Sequence, residues 1–193
     1  IFISNKIQKN MDCCMFPDPK WDDYEADCSK YKDAFNKYGD PVSKDSKHLK
    51  SCAMDCVFNV SQVLPNNELN MVNARNLVSN LYNGMPDFIQ TFVGALEKCQ
   101  TRIKRKMVQL KAAGVTPHEP HGPSYCRPLP MMYVLCIVRE VFINCPISAW
   151  TSSTECEKLK NYTLNCDHNG MNRHKRSKLF ESYTFKLKCG AFK

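Results

Sequence analysis

Residues 131–143 read Met-Met-Tyr-Val-Leu-Cys-Ile-Val-Arg-Glu-Val-Phe-Ile, and the predicted architecture follows from this apolar segment. Its side chains are apolar on nearly every side of a helix, which is typical of a helix at the centre of a domain. Cys136 lies inside the stretch, and Cys145 follows nine residues later. At about 100° per residue, that spacing places two sulfurs on opposite sides of one helix. The sequence therefore predicts a central helix at about 130–144 that is tethered on two sides.

Cysteines are spread along the whole chain, twelve of them in 193 residues. An even, high count without a metal-type CxxC repeat predicts a disulfide framework made in an oxidising compartment. Cys52 and Cys56 lie in an apolar helical pattern, so their sulfurs share one helix face and can reach two different neighbours. We expect Cys13 and Cys14 to have separate partners, because a bond between adjacent residues forces an unfavourable ring. The predicted disulfide residues are Cys13, Cys14, Cys28, Cys52, Cys56, Cys99, Cys126, Cys136, Cys145, Cys156, Cys166 and Cys189.

Apolar periodicity predicts a series of helices and no β-sheet domain. Asp18-Pro19 reads as the N-cap and first-turn proline of a helix that continues to Gly39. Five prolines between 115 and 130 predict a long irregular loop held by Cys126. The other predicted helices are 45–60, one from after Asn67 to Gly84, one or two between Pro86 and Gly114, and a short one at the capping-box pattern Ser152–Glu155.

The ordered cysteine spacing resembles that of insect odorant-binding proteins. The additional cysteines, with the Cys145-Pro146 dipeptide, are similar to those of the Plus-C branch of that family, and the similarity is to its mosquito members. It extends from about Cys13 to Cys166, which is most of the chain. The six-cysteine pattern is carried by Cys28, Cys52-x3-Cys56, Cys99 and Cys136-x8-Cys145, and the additions by Cys126, Cys156 and Cys166.

The resemblance implies an all-α, compact, disulfide-rich helical carrier fold with an extra C-terminal segment and no catalytic residues. It also implies a secreted, extracellular protein, typically of sensillum lymph, that binds small hydrophobic odorant-like molecules and encounters an olfactory receptor or a membrane surface. The interlocked order of the family's bonds implies the pairs Cys28–Cys56, Cys52–Cys136, and Cys145 with Cys99 or Cys126.

Two regions are expected along the chain. Residues 1–169 form the helical ligand-binding domain, and residues 170–193 add a polar hinge and an apolar C-terminal tail. Four large apolar side chains at 179–189 must dock somewhere, either within the monomer or on a second copy in a homodimer. No apolar run reaches the length of about 18 residues that a membrane helix requires. Because the chain begins Ile-Phe-Ile without a methionine, we expect that a secretory signal has been removed.

Charge and motif searches exclude several classes of function. The net charge of +8 invites a nucleic-acid reading, but acidic residues concentrate before position 45 and basic ones after 97, so the chain is dipolar. Secretion also removes most nucleic-acid partners, so no nucleic acid is expected. His118 and His121 lie among prolines without further metal-ligand spacing, so no metal or cofactor is expected. Neither GxSxG nor HExxH occurs, and the chain is not expected to be an enzyme.

The apolar helix faces could pack solidly or surround a ligand cavity. Periodicity alone favours a packed core, whereas the resemblance favours a cavity, for which methionine and aromatic side chains suit adaptable recognition. Two alternatives stay open: a scavenger or solubiliser of lipophiles in another secreted fluid, and a structural or defensive protein with a filled core that binds a macromolecule through its basic surface. The candidate ligand-binding residues are Val57, Leu64, Leu77, Leu81, Phe88, Phe92, Leu96, Met107, Met131, Met132, Val134, Leu135, Val138 and Phe142.

Overall fold

A computed structural model describes residues 12–34, 44–115 and 126–165. These ranges contain helices and no β-strand, and an isolated antiparallel bridge joins Cys14 to Trp150. The predicted all-α, disulfide-rich fold is confirmed. The chain divides into two compact units, residues 1–151 and 152–193. The helices are α1 (Asp22–Glu25), α2 (Lys44–Val60), α3 (Met71–Leu81), α4 (Pro86–Ala112), α5 (Pro128–Ile143) and α6 (Thr154–Asn165).

Several predictions fall on residues that the structure does not describe. The boundary at 169/170 and the tail at 170–193 lie outside the described ranges and stay predictions, as does the dimer through that tail. Cys166 and Cys189 lie outside them too, and so do His118 and His121.

The central helix of the first unit is α5. It packs against both α2 and α4, and nine of its 16 residues are buried, with Val141 and Phe142 at most 1% exposed. The helix begins at Pro128, so the predicted loop over 115–130 is wrong at its C-terminal end. Pro128 and Pro130 both lie in the first turn, where a backbone N–H has no partner within the helix and proline is tolerated.

A single helix, α4, fills the stretch between Pro86 and Gly114 for which one or two helices were expected. Gly94 weakens a helix by about 1 kcal/mol relative to alanine. That cost is offset because Phe92, Leu96 and Cys99 around it are all buried. The helix ends where Gly114 adopts a φ of +73°, a left-handed conformation that glycine takes without strain.

The helix predicted from Asp18 to Gly39 is wrong in its described part. Residues 15–21 are not helical; α1 is only four residues long, and a 3-10 turn follows at Ser29–Ala34. The Lys20 amide donates to the Leu81 carbonyl at 2.9 Å, at the end of α3. We call residues 15–21 the 15–21 segment below. Its tertiary hydrogen bond to the end of α3 holds it in a non-helical path, although apolar periodicity predicted a helix from Asp18.

The next two helices lie close to their predicted positions. The prediction for 45–60 is confirmed by α2, whereas α3 begins at Met71, later than expected. Asn66 and Asn67 have positive φ angles of 54° and 63°, so a turn and not a helix follows Pro65. The Asn70 side chain then accepts hydrogen bonds from the amides of Val72 and Asn73 and caps α3.

Disulfides crosslink the first unit. Cys28 bonds to Cys56 as predicted, and Cys52 and Cys56 reach two different partners. The predicted pairs Cys52–Cys136 and Cys145 with Cys99 or Cys126 are wrong. The bonds are Cys14–Cys145, Cys28–Cys56, Cys52–Cys126 and Cys99–Cys136.

The corrected pairing follows from how the helices meet. Because α4 and α5 pack together, Cys136 faces Cys99, and Cys52 on α2 meets Cys126 just before α5 begins. Cys145 was predicted to lie on the same helix as Cys136, but it lies two residues beyond the end of α5. Cys13 and Cys156 are also disulfide-bonded, and none of the described cysteines is free.

Tyr133 on α5 makes the stability of the fold sensitive to alkaline pH. Its side chain is 3% exposed, and burial raises its pKa from 10 to about 12. Below pH 10 the hydroxyl is neutral in both states; between pH 10 and 12 only the unfolded chain loses the proton, so stability falls as pH rises. We expect this to cost about 2 kcal/mol near pH 12. Guanidinium unfolding of the wild type and of Tyr133→Phe at pH 10 and at pH 12 measures this effect. An equal loss of unfolding free energy between the two pH values in both proteins would contradict it.

In the second unit the structure describes one helix, α6. The Ser153 hydroxyl accepts a hydrogen bond from the Cys156 amide at 3.1 Å and caps the helix, one residue later than the predicted capping box at Ser152–Glu155 places it.

Candidate functional site

The first unit contains a cavity of about 110 Å³ among α2, α3, α4, α5 and the 15–21 segment. A water molecule needs only about 10–15 Å³ by the same measure, so the space admits a small organic molecule. Nearly all of the lining surface is apolar. The described lining residues are Phe16, Pro19, Trp21, Met54, Val57, Phe58, Val63, Ala74, Leu77, Val78, Leu81, Tyr82, Phe92, Leu96, Val134, Ile137, Val138 and Phe142.

Helical spacing brings the lining side chains of each helix onto one face. Leu77 and Leu81 are four residues apart on α3, and so are Phe92 and Leu96 on α4. On α5 the lining positions recur at steps of three and four residues. Eight of the predicted ligand-binding residues line this cavity, namely Val57, Leu77, Leu81, Phe92, Leu96, Val134, Val138 and Phe142.

The other six predicted residues lie elsewhere. Leu64, Phe88 and Met131 are buried outside the cavity lining. The remaining three are half-buried and do not line the cavity either; they are Met107, Met132 and Leu135. Whether any of the fourteen contacts a ligand stays a prediction.

Sequence reasoning missed ten of the lining residues. Met54 lies three residues before Val57 and four before Phe58 on α2, and that helical spacing was a signal for both. Phe16, Pro19 and Trp21 come from the 15–21 segment, and no helical periodicity could have placed them. The others missed are Val63, Ala74, Val78, Tyr82 and Ile137.

The sequence matches a known family over most of its length. The AgamOBP47-like family model covers residues 23–162, which is more than half of the 193-residue chain. The chain belongs to this family of insect odorant-binding proteins. A curated relative, odorant-binding protein 47 of Anopheles gambiae, is 22% identical over 120 residues. That match covers 60% of this chain and 51% of the relative, so the chain spans about half the length of the curated relative it matches.

Aromatic rings form much of the cavity wall of this odorant-binding protein. Tyr82 and Phe92 both line the cavity and stack on each other, with ring centroids 4.4 Å apart and an angle of 21° between the planes. Behind the lining, Phe88 supports Phe16 at 6.4 Å and Trp150 supports Phe142 at 5.7 Å. Such paired rings add about 0.5–1.5 kcal/mol beyond the burial of their area, so they hold the wall in place.

Two buried charge networks lie outside the described lining. The Asp55 carboxylate accepts from the Arg127 amide at 3.0 Å and from its Nε at 2.8 Å, which joins α2 to the start of α5. The Arg127 guanidinium also donates to the side chains of Asn59 and Asn67. The hydrogen-bonding groups of this network are satisfied by one another. The network therefore joins two helices that border the cavity without placing a polar side chain in its described lining.

The second network joins α4 to α5. Glu140 is 5% exposed and accepts from Arg102 at 2.7 Å and from Arg139 at 2.6 Å. Arg102 is one of the basic residues that the sequence concentrates after position 97. The structure places its guanidinium on a buried carboxylate of its own chain, where it neutralises Glu140.

No helix within the described ranges of this odorant-binding protein has both the length and the apolar character needed to cross a lipid bilayer.

Proposed function

We propose that this protein is a secreted carrier of the Plus-C type that binds small hydrophobic, odorant-like molecules in the cavity of the first unit. It carries them through sensillum lymph towards olfactory receptors. The observation that carries the proposal is the apolar cavity of about 110 Å³ in a chain of the AgamOBP47-like family. The name of the relative in Anopheles gambiae, odorant-binding protein 47, supports it.

Affinity in such a cavity comes from removing apolar surface from water, at about 25 cal/mol per Å². The walls need to stay apart when the cavity is empty. Disulfides support this, because Cys99–Cys136 joins α4 to α5 and Cys52–Cys126 joins α2 to the start of α5. A carrier needs no chemical step, and the described lining is almost entirely apolar, as packing against a hydrophobic ligand requires.

Secretion is supported by the disulfide framework. Bonds such as Cys14–Cys145 form and persist in oxidising compartments outside the cytosol. An encounter with a negatively charged receptor or membrane surface is supported by the C-terminal third of α4. No residue of 104–112 is buried, and Lys104, Arg105 and Lys111 are exposed there.

The carrier role is tested by titrating the protein with the fluorescent apolar probe N-phenyl-naphthylamine. We expect saturable binding of one probe per chain and displacement by small neutral odorant-like molecules. A probe signal that rises without saturation would contradict the carrier role and favour a protein with a filled core.

The location of the site is tested by filling the cavity. Ala74 is 1% exposed and lines the cavity from α3, so a phenylalanine there occupies the space that a ligand would use. We expect Ala74→Phe to weaken probe binding at least tenfold, or about 1.4 kcal/mol. The control is Ala112→Phe, which makes the same change at an exposed position of α4. If Ala74→Phe unfolds at the same denaturant concentration as the wild type and binds the probe equally well, the ligand lies elsewhere.

A further inference from the structure

The described lining of the cavity carries no charged side chain. An ionised carboxylate that entered would lose its hydration without gaining a cation, and such burial is strongly unfavourable. The nearby guanidinium groups of Arg127 and Arg102 do not line the cavity and are already bound to the buried carboxylates of Asp55 and Glu140. The described lining therefore disfavours a ligand with an ionised carboxylate.

Six of the eighteen described lining residues are aromatic. Rings present flat faces, and aromatic pairs gain energy beyond the burial of their area when they are stacked or tilted. The lining rings are Phe16, Trp21, Phe58, Tyr82, Phe92 and Phe142.

The positions of several of these rings are set before a ligand arrives. Tyr82 and Phe92 stack at 4.4 Å, while Phe16 and Phe142 each contact a second ring behind the wall. A wall that is already ordered loses little side-chain entropy on binding. A flexible aliphatic ligand still loses its own rotational freedom in the cavity, whereas a rigid aromatic ligand has little to lose.

We infer that the cavity selects rigid, neutral aromatic molecules over flexible aliphatic chains of equal carbon number and over aromatic carboxylates. The inference rests on the proposed carrier function and names the class of ligand for the same cavity. The stacked pair of Tyr82 and Phe92 is the part of the wall that sets the preference for aromatic ligands.

Competition against bound N-phenyl-naphthylamine tests this with three ligands of equal carbon number. They are methyl naphthyl ketone, methyl decyl ketone and naphthylacetate, the anion of naphthylacetic acid. The first comparison replaces a rigid aromatic ring system by a flexible aliphatic chain, and the second introduces charge. We expect the naphthyl ketone to displace the probe at a concentration roughly tenfold lower than the decyl ketone, which is the size of one to two aromatic contacts. Naphthylacetate should displace the probe less effectively than both ketones.

Displacement by the decyl ketone or by naphthylacetate at an equal or lower concentration than the naphthyl ketone would overturn the inference while leaving the carrier role intact. If the probe itself did not bind, the carrier role would fail.

The role of the stacked pair is tested by Tyr82→Leu, which keeps an apolar side chain and removes the ring. We expect the preference for the naphthyl ketone to fall from about tenfold to near parity. The control is Tyr133→Leu, the same change at a buried tyrosine that does not line the cavity, and it should keep the preference. If Tyr82→Leu does not fold, Phe16→Leu removes a half-buried lining ring instead and should lower the preference in the same direction. An unchanged preference in the folded lining variant would overturn the role of the rings.

Discussion

Replacing both Cys99 and Cys136 by alanine should lower the free energy of unfolding by about 4 kcal/mol. The two residues are 37 positions apart in the sequence, and their bond joins α4 to α5, the two helices that meet across the centre of the first unit. Without the bond the unfolded chain gains the conformational freedom of an open loop, which favours unfolding. Guanidinium unfolding under non-reducing conditions, followed by circular dichroism, measures the change.

The control for this variant replaces Cys28 and Cys56 by alanine. That bond closes a loop of 28 residues, so the entropy account predicts a loss within about 0.5 kcal/mol of the first. A loss below about 1 kcal/mol in the Cys99/Cys136 variant would contradict the stabilising role of the bond. Cys99 and Cys136 are both buried, whereas in the control only Cys28 is. A loss several kcal/mol larger than in the control would therefore show that packing around the bond, and not chain entropy, dominates.

Asp55→Ala is expected to cost about 3 kcal/mol. The substitution removes the carboxylate that the Arg127 guanidinium, whose side chain is 20% exposed, binds in the network that joins α2 to α5. Unfolding experiments at neutral pH measure the loss. Asn59 and Asn67 still accept from this guanidinium, so the cost lies at the lower end of the range for a broken buried pair.

An exposed ion pair provides the comparison. Nη2 of Arg75 lies 2.9 Å from Oε1 of Glu97, and Nη2 of Arg127 lies at a similar 2.8 Å from Oδ1 of Asp55. The side chains of Arg75 and Glu97, however, are 52% and 56% exposed. Because solvent screens such a pair, Glu97→Ala should cost less than about 1 kcal/mol. Equal costs for the two variants would mean that burial does not decide the contribution of the Asp55 pair.

Local patterns predicted most of the helical framework. The amphipathic spacing of residues 45–60 predicted α2, and the proline and glycine at 86 and 114 predicted both ends of α4. Four-residue spacing on one helix was enough to show that Cys52 and Cys56 bond to different partners. These features depend on neighbours within about one helical turn, which the sequence lists directly.

The partners of Cys136 and Cys145 depended on the tertiary structure. Which cysteine faces Cys136 is set by how α4 packs against α5, and Cys145 meets Cys14 only because the chain near residue 150 pairs with residue 14. Periodicity within one helix contains no information about the rotation of a neighbouring helix.

Composition, cysteine order and helical periodicity were enough to predict the all-α class, the disulfide-rich character and the resemblance to odorant-binding proteins, because these are local or cumulative properties of a chain. Which apolar stripes surround a cavity and which fill the core depends on how the helices pack against one another. Phe88 and Phe92 are four residues apart on one face of α4 and both are buried, yet only Phe92 lines the cavity. In the 15–21 segment, the predicted helix would have begun at Asp18, but the backbone there is not helical; the segment supplies Phe16 and Trp21 to the wall, and the Lys20 amide bonds to the distant Leu81 carbonyl. A cavity exists where several elements fail to fill the space between them, and that is a property of their arrangement and not of any one stretch of sequence.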